Sequence, residues 1–327
     1  MLILNKAEIE SVLTMDKAIE AVESAFQEKQ LGKVGQPPNH IIMIPEFKGR
    51  LGVKSAWLTE SKVLATKVNT LYVNNPIYRN LPFIQGVVLL FNLENGRLLA
   101  ILEGSSLTAI RTGAITGVAT KFLSRPDAST VVIFGAGNQA AAQIDAVCCV
   151  RKIEKIKVYD TDLEKARVFA AKLSKNRAIE VVQLERPEMA IRKSDICITV
   201  TTSQKPVILG EWVEAGTHLN AIGSYRADIR EVDTATIQKA KVVVDSLEHC
   251  LQEAGDIAIP ILEGTFKPER IYGEIGEIIT GDKPGRISSE EITLFKSVGL
   301  GLQDVAAAFQ AYNLAVEIGL GKEVILD

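Results

Sequence analysis

Between residues 15 and about 31 the apolar positions Ala18, Ile19, Val22 and Phe26 recur at helical spacing, which predicts an amphipathic helix near the start of the chain. The pattern then changes to short apolar runs at 41–44, 51–57, 63–70, 86–91 and 97–102, with Asn95-Gly96 as a hairpin signal between the last two. These runs predict a mostly antiparallel sheet. Residues 107–123 return to a helical pattern, broken by Arg125-Pro126-Asp127. Beyond the break, strands expected near 131–134, 156–159, 179–182, 195–200, 218–222 and 241–245 alternate with helical segments, as in a parallel sheet with crossover connections. A last helix, from 301 to about 318, has a small-residue face around Ala306-Ala307-Ala308 that suits packing back on the N-terminal domain. The expected fold class is α/β, with a Rossmann doubly wound parallel sheet over 125–299 and an α+β domain over 1–124 and 300–327.

One strand-to-helix junction carries chemistry. The buried-strand run Val131-Val132-Ile133-Phe134 leads into Gly135-Ala136-Gly137-Asn138-Gln139-Ala140, and an Ala-rich helical stretch continues to about residue 150. In that context Gly135 permits a tight turn, Gly137 lets a pyrophosphate approach the backbone, and Ala140 keeps helix and strand close. The free N–H groups and positive end of the helix then face the phosphates. The competing reading is an ordinary tight turn. The next expected strand, Ile156-Lys157-Val158-Tyr159, ends in Asp160, 25 positions beyond Gly135, where a carboxylate reads the ribose hydroxyls and repels a 2′-phosphate. Thr161-Asp162 follows with no Arg, so NAD(H) is favoured, with NADP(H) as the less favoured alternative. Asp160 is also a candidate N-cap for a helix beginning near 162.

Composition narrows the classes. The 327 residues, 47% hydrophobic and 24% charged, suit an ordinary globular chain of two domains. A net charge of −3 with dispersed Lys and Arg offers no stripe for nucleic acid. Cys148, Cys149, Cys197 and Cys250 lack metal or disulfide spacing, and His40, His218 and His249 lack ligand spacing, so no metal site is expected. The apolar start is interrupted by Asn5-Lys6-Ala7-Glu8 before a signal core forms, and no run reaches the roughly 18 apolar residues of a membrane span. A cytoplasmic protein without nucleic-acid or membrane partners is expected.

Two cations stand out. Lys67, in the alternating Leu64-Ala65-Thr66-Lys67-Val68-Asn69, is either an exposed strand lysine or one turned into a cleft, where desolvation lowers its pKa and fits it to give a proton. Arg111 lies among small and apolar neighbours in Leu107-Thr108-Ala109-Ile110-Arg111-Thr112-Gly113-Ala114; its fork either grips a carboxylate bidentately or bridges two elements. Thr201-Thr202-Ser203 and Asn220-Ala221-Ile222-Gly223-Ser224 follow or end expected strands, where a parallel sheet gathers its ligands.

Taken together, the 107–114 string, the Gly135 turn with Gln139, Gly216-Thr217-His218-Leu219-Asn220-Ala221-Ile222-Gly223, and Phe295-Lys296-Ser297-Val298-Gly299 with Gln303-Asp304 resemble the ornithine cyclodeaminase and mu-crystallin family over nearly the whole chain. The resemblance implies a homodimer whose N-terminal sheet domain binds a small amino or imino acid and makes the subunit contact. It places Lys67 beside the substrate and Arg111 on its carboxylate. It brings Thr112, Thr201, Thr202, Asn220, Ile222, Ser297, Val298 and Gly299 to the cofactor, along with Gly135, Ala136, Gly137, Asn138, Gln139, Asp160, Thr161 and Gly223.

Two departures redirect the expected activity. Cyclodeaminases of the family carry an Asp where this chain has Tyr225, and Asp228 reaches that place only by a different loop path. Many relatives carry a substrate-binding Arg after the paired prolines, where Asn39 follows Pro37-Pro38 here; Lys54 and Arg226 are the candidates to compensate. The resemblance therefore points to the ketimine reductases. The expected reaction is NADH-dependent reduction of Δ1-pyrroline-2-carboxylate to L-proline or of Δ1-piperideine-2-carboxylate to L-pipecolate, with Lys67 and Arg111 as catalytic residues. The alternatives are alanine dehydrogenase or ornithine cyclodeaminase activity, and a non-catalytic crystallin-like binding protein.

Overall fold

Alternation over residues 63–72 becomes the middle of an eight-stranded sheet in the computed structural model, which describes residues 1–325. The last two residues of the expected C-terminal segment lie outside the described residues. The chain divides into two compact units: Met1–Ile115 with the chain from Leu300 onward, and Thr116–Gly299.

The first unit runs through β1 (Leu2–Leu4), α1 (Lys6–Val12), α2 (Met15–Gln30), β2 (Val34–Gly35), β3 (His40–Ile44), β4 (Gly49–Leu58), β5 (Val63–Tyr72), α3 (Asn75–Tyr78), β6 (Ile84–Asn92) and β7 (Leu98–Glu103). Strands β4, β5, β6 and β7 pair antiparallel in sequence, while β1 joins β7 in parallel. The β6–β7 turn holds Gly96 at φ +73°, the left-handed conformation that its Asn-Gly signal predicts. On β5, Val63, Ala65, Lys67 and Leu71 are buried, so the period of two puts a lysine in line with the core face. Fully burying a Val or Leu there contributes about 1.5–3 kcal/mol, which orders the strand but leaves the lysine needing a partner.

Helix α4 (Gly104–Leu123) carries the chain onward from the first unit. Its start fits only because residue 104 is glycine, since a Cβ there would lie 2.8 Å from the backbone of Gly86. The second unit then alternates β8 (Thr130–Phe134), α5 (Ala140–Val150), β9 (Lys155–Tyr159), α6 (Leu163–Asn176), β10 (Glu180–Gln183), α7 (Pro187–Ile191), β11 (Ile196–Thr199), β12 (His218–Ala221), α8 (Thr234–Lys239), β13 (Lys241–Val244), α9 (Leu247–Glu253), α10 (Gly255–Leu262), β14 (Ile271–Glu274), α11 (Ile275–Ile279) and β15 (Thr293–Lys296). All eight strands are parallel, in the order β10-β9-β8-β11-β12-β15-β13-β14. Val132 and Phe134 pack into one apolar layer and Val131 and Ile133 into another, which is why that strand reads as a continuous apolar run. The order reverses between β8 and β11, and a doubly wound sheet binds its ligand at such a switch point.

The chain ends with α12 (Gly301–Glu317) and β16 (Lys322–Glu323), both in the first unit. Helix α12 packs on α2, β4 and β5. Its Ala307, Ala308, Ala311 and Ala315 are fully buried, the small side chains that allow so close an approach.

Candidate active site

Burial forces the first unit's polar cluster together. Arg111 lies one helical turn from Leu107 and from Ala114, both fully buried, so α4 presents its guanidinium on an apolar face. Asp304 lies on α12 one turn before Ala307 and Ala308, and Lys67 comes from the inner face of β5. The three meet in one ion cluster. Lys67 Nζ lies 2.7 Å from Asp304 Oδ2, Arg111 Nε donates to Asp304 Oδ1 at 2.9 Å, and Arg111 Nη1 donates to Gln303 Oε1 at 2.6 Å. Side-chain exposure is 5% for Lys67, 7% for Arg111 and 2% for Asp304.

Electrostatics follow from this packing. Burial, reinforced by the positive charges of Arg111 and Lys54, pushes the Lys67 ammonium down to about 7, while Asp304 pulls the other way. Burial alone would raise Asp304, but the charges of Arg111 and Lys67 prevail and hold its carboxyl below the usual range. Lys54 faces Lys67 directly across β4 and β5. Half-buried Asn39 directly precedes β3, whose His40 pairs with Val53, the neighbour of Lys54.

The expected bidentate fork is only partly available. Arg111 commits Nε to Asp304 and Nη1 to Gln303, so the side edge of the guanidinium is partly taken. Arg226 is likewise engaged: it and Asp228 form an ion pair on an exposed loop of the second unit, with Nε donating to Oδ1 at 2.9 Å. Tyr225, on the same loop, is 40% exposed.

In the second unit the glycine turn follows β8 directly. Gly135 adopts φ +102°, where a Cβ would also lie 2.7 Å from the carbonyl oxygen of Val200. A Cβ on Gly137 would meet nothing within 4 Å, an open approach to the backbone ahead of α5. Asn138 is exposed, Ala140 is fully buried, and Gln139 Oε1 is buried without a hydrogen-bond partner. Asp160 Oδ2 accepts from Ala136 N at 2.8 Å and Oδ1 from Asp162 N at 3.0 Å. Asp160 thus braces the turn, and the cap of α6 is Asp162, which accepts from Lys165 N. Thr161 is exposed beside it.

Beyond the neighbouring strands, Thr201 and Gly223 both bond to Glu231, exposed Thr202 follows, and Ile222 N donates to Thr199 O at 2.9 Å. Asn220 is buried and donates to Thr120 Oγ1 at 3.1 Å. Ser297 Oγ, Val298 N and Gly299 N all converge on Asp245 Oδ2, at 2.7, 3.0 and 3.0 Å. Thr112 sits on α4 with its hydroxyl on Thr108 O. His218, fully buried against Thr293 Oγ1, is pushed down to about 3 by burial and by Arg286, and stays neutral. Among the described residues no three His, Cys, Asp or Glu side chains gather as a metal site.

Sequence reasoning assigned no role to the three organising acids, although Asp304 stands in one of the strings that carry the family resemblance. Asp245 had the same grammar as Asp160, an acid closing an apolar strand, here Val242-Val243-Val244. Asp304 had a fainter signal, an acid heading a helix stripe of alanines, and Glu231, between Arg230 and Val232, had none.

Residues 1–318 match the model of the ornithine cyclodeaminase/mu-crystallin family. The chain belongs to that family. It is 37% identical to the Δ1-pyrroline-2-carboxylate reductase of Bacillus cereus over 99% of both chains. It is also 37% identical to the alanine dehydrogenase of Archaeoglobus fulgidus, over 99% of this chain and 98% of that one. A solved relative, the Δ1-pyrroline-2-carboxylate reductase of Thermococcus litoralis in complex with NADH and L-proline, superposes with a TM-score of 0.95 at 44% identity, covering 99% of this chain and 100% of that one. The chain shares the fold of these relatives, with a Rossmann-like parallel sheet in one unit and a mainly antiparallel sheet in the other.

Proposed function

We propose that the protein reduces the C=N bond of a cyclic ketimine carboxylate with NADH, converting Δ1-pyrroline-2-carboxylate to L-proline, or its six-membered homologue Δ1-piperideine-2-carboxylate to L-pipecolate. The observation that carries this reading is the buried Lys67–Asp304–Arg111 cluster, which joins a carboxylate anchor to an ammonium of pKa about 7. Arg111 binds the substrate carboxylate through the part of its guanidinium that Asp304 and Gln303 leave available, and Lys54 adds positive charge beside it. Lys67 holds a proton at the imine nitrogen and gives it up as the C=N bond is reduced. The bound dinucleotide supplies the hydride. Asp304 returns positive character to Lys67, opposing a burial that would otherwise strip its proton.

The second unit fits an NAD(H) molecule. Gly137 and the α5 N-terminus suit the pyrophosphate, Asp160 suits an unphosphorylated ribose, and the buried, unpartnered Gln139 oxygen marks a polar site beside the turn. Asn220 near the end of β12, and the loops bearing Thr201, Thr202, Ile222, Gly223 and Ser297, Val298, Gly299, stand at carboxyl ends of strands and suit the rest of the cofactor. Tyr225 in place of the cyclodeaminase Asp, and the commitment of Asp228 to Arg226, favour reduction over deamination.

A homodimer accounts for β3. That edge strand exposes Ile41, Ile42 and Met43 at 56%, 60% and 65%, a row that a second copy would cover. The neighbour solved as a dimer, the archaeal alanine dehydrogenase with bound NAD, supports this assembly. A reducing cytoplasmic setting agrees with four cysteines that form no disulfide.

The test is NADH oxidation by the purified protein with either cyclic imine or with pyruvate plus ammonium, alongside ammonia release from ornithine in the presence of NAD+. Fastest turnover on an imine is expected. Preference for pyruvate plus ammonium would make the chain an alanine dehydrogenase, ammonia release from ornithine a cyclodeaminase, and no turnover of any a binding protein.

A further inference from the structure

Glu231 is fully buried, and its carboxylate takes five donors, one from the end of β11 and four from the loops that follow β11 and β12. Oε1 accepts from Thr201 N at 2.7 Å and Thr201 Oγ1 at 2.8 Å. Oε2 accepts from Thr199 Oγ1 at 2.9 Å, Gly223 N at 2.7 Å and Ser224 N at 3.2 Å. One oxygen therefore holds the loop after β11 and the other, chiefly, the loop after β12. A Cβ on Gly223 would lie 2.5 Å from both Glu231 Oε1 and the Thr201 backbone, so the two loops are in direct apposition around this carboxylate.

The glutamate is itself held. Asp256 Oδ1 accepts from the backbone N–H groups of Glu231 and Val232 at 2.6 and 3.0 Å. Lys296 Nζ lies 2.8 Å from Asp256 Oδ2 and donates to Ser224 O at 2.5 Å, so the cation both offsets the buried acids and ties the same loop from its other side. All three charged side chains are 0% exposed, and none belongs to the chemistry assigned to Lys67 and Arg111.

A doubly wound sheet places the two halves of a dinucleotide on either side of its switch point. Here β8 and β9 carry Gly135 and Asp160 on one side, and β11 and β12 carry the Glu231 loops on the other. We infer that Glu231 is a positioning residue for the nicotinamide half of the cofactor: one buried carboxylate fixes the spacing of the loops that follow β11 and β12. The inference rests on the NAD(H) reading above. Only glutamate suits the place. Glutamine would turn an amide donor against the N–H groups of one loop, and aspartate would fall short by a methylene, about 1.5 Å.

The experiment compares Glu231→Gln with the unaltered protein in binding NADH, by fluorescence titration, and ADP, by calorimetry. ADP carries the adenosine and phosphates without the nicotinamide riboside. The Kd for NADH is expected to rise about tenfold or more while that for ADP stays within about twofold, since only the loops on the nicotinamide side lose charge-assisted bonds to the carboxylate. Equal weakening of both ligands, or unchanged NADH binding, would overturn the role. Should Glu231→Gln not fold, Thr199→Val removes one donor and keeps the carboxylate; NADH alone should then weaken by about three- to fivefold, and unchanged or parallel Kd values would overturn it. Failure of the unaltered protein to bind NADH would instead overturn the cofactor reading on which the inference stands.

Discussion

Lys67 lies 2.7 Å from Asp304 although 237 positions separate them in the chain. One comes from the core face of a strand and the other from the first turn of the last long helix, so the pair exists only once α12 has docked on β5.

Imine reduction should require protonated Lys67, whose pKa lies near 7. Turnover is therefore expected to be full on the acid side and to fall as pH rises through about 7. Asp304→Asn removes the one negative charge that opposes deprotonation, so the limb should move to lower pH. A pH–rate profile of both proteins checks this; an unmoved limb would leave Asp304 a packing residue.

Arg111→Ala should raise KM for the imine far more than it lowers kcat, by about 10²-fold, the value of a charge-assisted anchor. It also leaves Asp304 with one cation instead of two, and breaking a buried pair costs about 3–5 kcal/mol. Steady-state kinetics alongside thermal melting separates the two effects. Unchanged KM would remove Arg111 from the substrate.

Asp160→Ala should admit NADPH by removing the charge that repels a 2′-phosphate. It also deletes the bond to Ala136 N, so NADH binding should weaken by about fivefold. The kcat/KM ratio for NADPH over NADH is the measurement, and an unchanged ratio would contradict the ribose reading.

Ile42→Asp places a charge in the middle of the exposed β3 row and should break the proposed dimer into monomers, read by light scattering after gel filtration. A mass unchanged from that of the unaltered protein would move the subunit contact elsewhere.

The legible parts of this chain were those whose burial is one-sided or complete. Strand β5 announced itself by alternation, and β8 by an apolar run ending in glycine. Strand β15 did not, because its four residues, Thr293-Leu294-Phe295-Lys296, begin and end in buried polar side chains whose partners lie elsewhere in the fold. Strand β1 is three residues long and acquires its meaning only by pairing with β7 and β16. Lys67 and Arg111 were readable as cations in apolar company. Their shared partner Asp304, and the donors gathered by Glu231 and Asp245, were not, since hydrogen bonds of long sequence separation leave no periodic trace.

The most direct test is Lys67→Ala assayed for NADH-dependent reduction of Δ1-pyrroline-2-carboxylate, with NADH binding measured on the same protein. Loss of the proton donor should lower kcat by about 10²–10⁴-fold and leave the NADH Kd unchanged. Turnover equal to that of the unaltered protein would contradict the mechanism at its centre.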